Sequence, residues 1–324
     1  MRASAAADGN PFLRDIPLLR ERIPEVRDIV RENLESENPQ VNRLLARFRD
    51  RPGKMLRASL LLLSSAAGNP DDAKIGRLAA AVEILHLATL IHDDILDASA
   101  LRRGVPTIHS TDGVKKAVLA GDYLFTRCFN LTAEYASPET ARILSSGVGR
   151  ICEAEIGQSG SGAGLRSYLR KTAGKTALLF MLSSWMGAKE AGCADAVAGS
   201  FRRYGYALGM AFQIRDDILD FIGSASRMGK PSDQDLGGNL MTIPVVLALR
   251  EGHPRIRTLL EKRPSRLRGM RIRSAVASSD LIERSQEYVA FYTERALAAL
   301  SGVPGGDARN GLESLSLAMS TRVV

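Results

Sequence analysis

Cysteine, histidine and aromatic residues are all scarce in this chain of 324 residues, and each scarcity excludes something. The three cysteines (Cys128, Cys152 and Cys193) are odd in number, far apart and without a C-x-x-C spacing. Neither a disulfide framework nor a zinc site is indicated, and a reducing, cytoplasmic setting is expected. The four histidines (His86, His92, His109 and His253) contain no H-x-x-x-H pair, which excludes a zincin-type centre and leaves metal chemistry to oxygen ligands. Aromatic residues make up 5% of the chain, too few for an aromatic-rich binding surface. No stretch of signal-peptide character opens the sequence, and the apolar segment between Lys175 and Lys189 is too short to span a bilayer, so a soluble chain is expected. Sustained alternating strand patterns joined by Asn-Gly turns are missing, and no Pro/Gly/Ser-rich linker divides the chain. The apolar share of 45% and the charged share of 25% are those of an ordinary globular protein.

What is present is helical periodicity. From Gly76 to Gly104 there is no Gly or Pro, and Leu78, Val82, Leu85, Ala88/Thr89 and His92 recur at three- and four-residue steps. This predicts one long, largely buried helix. Similar runs follow up to "DLIERSQEYVAFYTERALAALSG", and the expectation is a single all-α domain over residues 1–324. Charge is uneven. Of the net +8, a balance of +7 falls between Arg250 and Arg273, with nine Lys/Arg against two Glu. Interrupted by Gly252, Pro254, Pro264 and Gly269, this stretch reads as short helices and turns with a solvated basic face. Attraction to an anionic membrane or a partner, as a peripheral contact, is the second reading. No nucleic-acid-binding motif accompanies the charge, so nucleic acid is not expected.

The pentapeptide DDILD occurs twice, beginning at Asp93 and at Asp216, 123 residues apart. On a helix, Asp93 and Asp97 share a face, as do Asp216 and Asp220, with Asp94 and Asp217 flanking them. Like charges at that spacing destabilise a helix, and the surrounding residues are apolar; a cation offsets both penalties. Carboxylates in ones and twos suit Mg²⁺, which completes its octahedron with water and substrate phosphate oxygens, so a phosphorylated or diphosphorylated ligand is implied. A solvated acidic patch is the bland alternative, weakened by the repetition. The EF-hand pattern of a calcium site is missing.

Fixed cations occur in compact groups. Arg102-Arg103 follows the first cluster by about one and a half helical turns. Lys54 and Arg57 stand three apart, on one face if helical, and Gly174-Lys175-Thr176 opens an apolar helix whose first N–H groups would add to Lys175. Each group alone reads as surface solubility; together with the acidic clusters they read as one binding surface. His86 lies two turns before Asp93 on the same face, either a core histidine or a donor to diphosphate. Gln213 lies three before Asp216, and Glu155 and Gln158 are polar positions in an apolar stretch. The loop from Gly223 to Asn239 reads as a lid.

Together "GKMLR", "EILHLATLIHDDILDASALRRG", "VLAGDYLF", "GKTALLF", "FQIRDDILDF" and "GKPSDQDLGGNLMTIPVVLAL" resemble the trans-isoprenyl (polyprenyl) diphosphate synthase family over about residues 52–249. The resemblance implies a helical bundle around a central cavity (the isoprenoid synthase type I fold), Mg²⁺ dependence, a homodimer, and condensation of isopentenyl diphosphate with an allylic diphosphate. It implies that metals held by Asp93, Asp97, Asp216 and Asp220 bridge the allylic diphosphate. Arg102, Lys175, Gln213 and Lys230 would contact that substrate, with Thr176 beside them, while Lys54, Arg57, His86 and Arg103 would hold isopentenyl diphosphate. Asn239 stands where many short-chain relatives have Lys. Short-product relatives also place aromatic rings where this chain has Ala88 and Thr89, so a medium- to long-chain product is expected, its length set deeper by residues such as Leu85, Tyr123 and Phe129. A heteromeric synthase subunit, a geranylgeranyl or farnesyl diphosphate synthase, and a terpene cyclase are the competing readings. The cyclase should carry a different metal motif at the second DDILD.

Overall fold

The structure, a computed structural model, describes residues 15–49, 53–102, 104–157, 164–226, 240–263 and 265–321. These are helical almost throughout, as the periodicity predicts; the β structure among them is a single two-residue hairpin. The chain groups into two compact units, one of residues up to Ser145 with Leu182–Arg202 and Leu300–Leu315, the other of Ser146–Met181, Arg203–Ala299 and the residues from Ser316 on.

The first unit contains α1 (Pro17–Asn33), α2 (Pro39–Arg49), α3 (Leu56–Ser65), α4 (Asp72–Leu96), the hairpin β1 (Leu101–Arg102) and β2 (Val105–Pro106), α5 (Ile108–Asp112) and α6 (Val114–Tyr135). Helix α4 starts where the Asp71 carboxylate accepts a hydrogen bond from the Lys74 N–H at 3.2 Å, satisfying one of the N–H groups that a helix start leaves without a partner. Apolar on nearly every side, α4 is a core helix. Its length and hydropathy would suit a membrane span, but 67% of that apolar window is buried inside the protein.

The helix does not run to Gly104 as the sequence suggests. Ala98 adopts φ +49, its N–H bonds Ile95 O, and the Ser99 N–H bonds Asp94 O at 2.9 Å. This is a Schellman ending with Ala in the left-handed position usually taken by Gly. Beyond it Gly104, at φ +78, turns the hairpin, pairing Leu101 with Pro106 and Arg102 with Val105. Thr107 locks the hairpin base to the helix end, its hydroxyl donating to Ser99 O at 2.8 Å and its N–H to Ala100 O at 3.0 Å. The absence of Gly and Pro therefore did not extend the helix, because this tertiary anchor ends it.

The second unit contains α8 (Leu165–Thr172), a π-helical turn (Ala173–Ala177), α11 (Ile243–Arg250), α12 (Pro254–Glu261), α13 (Arg266–Ala277) and α14 (Leu281–Ala299). Helices α7 (Pro138–Ile156), α9 (Leu178–Glu190), α10 (Asp195–Ser226) and α15 (Asp307–Thr321) supply residues to both units. Ile214, Ile218 and Phe221 of α10 share one apolar core with α11, α13 and α14. The basic stretch forms two short helices, as expected.

One buried carboxylate fixes how α3 begins. Met55 sits at φ +53, and the first helical N–H groups, those of Arg57 and Ala58, donate to Glu83 Oε1 of α4 at 2.9 and 3.0 Å. Glu83 thus caps a neighbouring helix from its side. Burial pushes the Glu83 carboxyl above the usual range, opposed by Arg57 and by these backbone donors. The folded protein binds that proton more tightly than the unfolded chain, so Glu83's contribution is fully present at low pH and lost as pH rises through its folded pKa. Glu83→Ala strands two buried donors and should cost about 3 kcal/mol of stability to urea. Glu83→Gln keeps an acceptor oxygen and should cost about 1 kcal/mol or less at pH 7, with a gap from wild type that widens as the pH is lowered. A gap that widened on raising the pH would contradict this balance.

Candidate active site

The candidate residues divide between the two units. Lys54, Arg57, His86, Asp93, Asp94, Asp97 and Arg102 belong to the first, and Lys175, Thr176, Gln213, Asp216, Asp217 and Asp220 to the second. Arg103, Gln158, Lys230 and Asn239 lie outside the described residues, as does most of the loop read as a lid; the first residues of that loop, to Ser226, continue helix α10.

In the first cluster the two outer aspartates stand one turn apart at the end of α4. Asp93 is half-buried, and Asp97 is the exposed C-cap residue, its N–H bonded to Asp93 O at 2.8 Å. Asp94 differs. It is 5% exposed, and Arg102 Nε donates to its Oδ1 at 2.7 Å. Burial pushes the Asp94 carboxyl up, with Arg102 pulling the other way. Helical spacing puts Asp94 beside the metal-binding face, and the family resemblance gives Arg102 to the allylic diphosphate. In the folded chain Arg102 lies on a strand that turns back onto the helix end, and the pair forms a charge-assisted bond.

The second cluster repeats the pattern with different partners. Tyr168 Oη donates to Asp217 Oδ2 at 2.6 Å, Gln213 Nε2 to Asp217 Oδ1 at 2.8 Å, and Thr176 Oγ1 to Gln213 Oε1 at 2.6 Å. Both Asp217 oxygens are engaged by protein donors, which speaks against its being a first-line metal ligand. Burial, with the Asp217 charge beside it, pushes the Tyr168 phenol far up, so it remains a donor at any physiological pH. Asp216, 37% exposed, is approached by the buried Arg215 at 3.5 Å. The Arg215 guanidinium donates to Met319 O and faces the Phe212 ring at 5.4 Å. The Gln213 amide thus reaches Asp217, one turn on.

Lys175 does not open a helix. It sits, half-buried, in the π-helical turn between α8 and α9, and the preceding Thr172 is itself helical, so its neighbours' N–H groups are not those of a helix start. π-Turns of this kind are frequent at functional sites. Two glycines let neighbouring helices close on it: a Cβ on Gly174 would lie 2.5 Å from Ala154 Cβ, and one on Gly209 would lie 2.6 Å from Ala177 Cα. Lys54 is also outside a helix, exposed and ahead of the left-handed Met55, while Arg57 is buried in the first turn of α3. His86 is half-buried on α4, one turn beyond Glu83.

Of the positions expected to bear on product length, Ala88 and Leu85 are fully buried, whereas Thr89 is half-buried and donates through Oγ1 to His86 O at 2.8 Å. Tyr123 Oη donates to Glu35 O, and Phe129 is 39% exposed, stacked on Phe125. Glu155 Oε1 is buried without a hydrogen-bond partner among the described residues. Glu83, Tyr168 and Thr107 escaped the sequence reading. A lone Glu in "AAAVEILHL" was the available signal for the first; Tyr168 and Thr107 had none.

Among the described residues no three carboxylates or imidazoles converge as a ready-made metal cage. Acidic oxygens offered in ones and twos fit a hard cation that draws its remaining ligands from water and substrate.

A sequence profile of the polyprenyl synthetase family matches residues 38–272. The chain is 35% identical over 275 residues to heptaprenyl diphosphate synthase component 2 of Geobacillus stearothermophilus, covering 83% of this chain and 86% of that relative. Among solved structures, geranylgeranyl pyrophosphate synthase of Lactobacillus brevis superposes with a TM-score of 0.89 at 32% identity, covering 97% of this chain and all of that one. A polyprenyl synthase of Caulobacter crescentus, complexed with calcium and isoprenyl diphosphate, gives 0.87 at 32% identity, with 96% and 97% covered. The fold is therefore that of the isoprenoid synthases, and with two acidic clusters one turn long, cationic residues in both units and a matching profile over most of its length, this chain belongs to the polyprenyl synthetase family.

Proposed function

We propose that this protein is a Mg²⁺-dependent prenyltransferase that condenses isopentenyl diphosphate with an allylic diphosphate to give a medium- to long-chain trans-polyprenyl diphosphate. The observation that carries the reading is the acidic pair repeated in both units: Asp93 with Asp97 and Asp216 with Asp220, each around an inner aspartate whose partners are protein groups. The metal, when bound, supplies charge that stabilises departing diphosphate. Lys175 adds fixed positive charge toward the developing anion. Lys54, Arg57 and His86 hold isopentenyl diphosphate, with Glu83 fixing the start of α3 so that Arg57 is set at a defined place. In the reaction the allylic C–O bond breaks with its electron pair leaving on diphosphate. The isopentenyl double bond then attacks the allylic carbon, and a proton is lost to the departed diphosphate. Water must be kept from the cation, the task we assign to the segment from Gly223 to Asn239, which includes Lys230.

Both units serve one catalytic domain in this reading, supported by a family match that takes residues from each. A homodimer in the cytoplasm is also part of it. Support comes from the outward apolar residues Val118, Leu119 and Phe129 on α6 and from three cysteines free of disulfides. The relative named component 2 favours one alternative, a catalytic chain that needs a second, different subunit. Incubation of the purified chain with labelled isopentenyl diphosphate, Mg²⁺ and a series of allylic primers, at several protein concentrations and with the mass read by light scattering, separates the two. Elongation by a dimer of this chain alone is expected, with turnover lowered about a hundredfold or more in Asp97→Ala and Asp216→Ala. Absence of elongation with every primer points to the heteromeric reading, and full activity in either variant contradicts the metal assignment.

Product length follows from the small residues before the first cluster. Because Ala88 is fully buried, a ring placed there would mainly overpack the core. Thr89→Phe is the cleaner change and should shorten the products by at least one isoprene unit with the thermal transition retained. Unchanged products, or farnesyl diphosphate as the main wild-type product, would contradict the length assignment.

A further inference from the structure

We propose that the outward face of α12 and α13 docks this protein onto an anionic lipid bilayer. Both helices bury one side in the same core, through Ile256 and Leu259 of α12 and Ile272, Ala275 and Val276 of α13. Their turn is closed by Arg268, whose Nη1 donates to Lys262 O at 2.7 Å and more weakly to Leu260 O at 3.4 Å. That cation is thus used structurally. Arg255, Arg257, Lys262, Arg263 and Arg271 remain exposed, and the one exposed acidic residue among them, Glu261, lies 3.7 Å from Arg257. Set in this basic field are Leu267, 55% exposed, and Met270, 39% exposed, which share the outward face of α13 with Arg271 and Ser274 at positions i, i+3, i+4 and i+7.

Cations around protruding aliphatic side chains fit a surface that offers phosphate at one depth and hydrocarbon just below it. Single-stranded nucleic acid fits less well, because residues 250–273 contain no Phe, Tyr or Trp on which bases could stack. An acidic protein would answer the charge but gives no reason for the two apolar side chains at its centre. A polyprenyl diphosphate is itself an anionic lipid, so on the function proposed above such docking would bring the product to the phase it prefers. The docking does not depend on that function.

Flotation of the purified full-length chain with phosphatidylcholine vesicles, and with vesicles containing about three-tenths phosphatidylglycerol, tests this. Binding is expected to the anionic vesicles only, and to fall steeply at about 0.5 M salt as the charges are screened. The charge variant Arg255→Glu/Arg263→Glu/Arg271→Glu and the apolar variant Leu267→Ser/Met270→Ser should each lower the bound fraction at least tenfold, with transfer onto a short, water-soluble allylic substrate unchanged. A variant that lost its thermal transition would be replaced by the single changes Arg271→Gln and Leu267→Ser, each expected to weaken binding severalfold. No flotation, equal flotation on neutral vesicles, or binding by the folded variants like that of wild type would overturn the proposal. So would retention on nucleic acid without flotation.

Discussion

A carboxylate tied into the protein at the centre of each acidic cluster is the interaction around which the candidate site is arranged. Asp94 takes the Arg102 guanidinium, and Asp217 takes Tyr168 and Gln213. Charge placed in an apolar helix is costly unless it is paired or hydrogen-bonded; Asp94 is ion-paired, and Asp217 is hydrogen-bonded on both oxygens. Their bonds do more than satisfy the inner residues. The first draws the β1–β2 hairpin back onto the end of α4; the second extends through Gln213 and Thr176 to the π-helical turn that carries Lys175. In one unit the inner aspartate thus ties an acidic helix segment to the cation Arg102, and in the other to the turn that carries Lys175.

The backbone around these ties is held in conformations that ordinary helix propensity would not select. Ala98 occupies a left-handed position at the end of α4, Met55 another at the start of α3, and the π-turn interrupts what would otherwise be one helix from Leu165 to Glu190. A non-glycine residue in the left-handed region costs of order 1 kcal/mol or more, and is kept only where surrounding contacts decide the geometry. Here they are identifiable: Glu83 bonding the first N–H groups of α3, Thr107 bonding the segment after Asp97, and helix packing against Gly174 and Gly209. Among the described residues, the left-handed non-glycine positions and the π-turn stand beside cationic and acidic residues in the sequence.

Much of this was legible in the sequence. Helical periodicity announced the all-α fold, and the repeated DDILD with its Lys and Arg groups announced diphosphate chemistry. Local pattern could not say which side chains would be consumed internally. Asp93, Asp94 and Asp97 look alike in sequence, yet Asp94 is the one bonded to Arg102 among the described residues, because a Schellman ending and a hairpin reverse the chain there. Gly174-Lys175-Thr176 looked like a helix start because Gly is rare inside helices; it lies inside one because close packing against Ala154 requires the missing side chain. Tyr168 could not be assigned, since its partner Asp217 is 49 residues away and no periodic signal links them. Glu83 was detectable as a lone acid in a buried run, but its role as a cap depends on a helix 25 residues earlier.

The division of labour between inner and outer aspartates can be measured directly, by following Mg²⁺-dependent binding of inorganic diphosphate and thermal stability in the same variants. Asp97→Ala, at an exposed C-cap, should leave the melting temperature nearly unchanged and weaken diphosphate binding at least tenfold. Asp217→Ala strands the buried Tyr168 hydroxyl and should lower the melting temperature by several degrees, about 2 kcal/mol of lost stability, while weakening diphosphate binding by a smaller factor. The reverse result, an Asp217→Ala protein as stable as wild type that no longer binds diphosphate with Mg²⁺, would show that the inner aspartate is a metal ligand and contradict the arrangement described here.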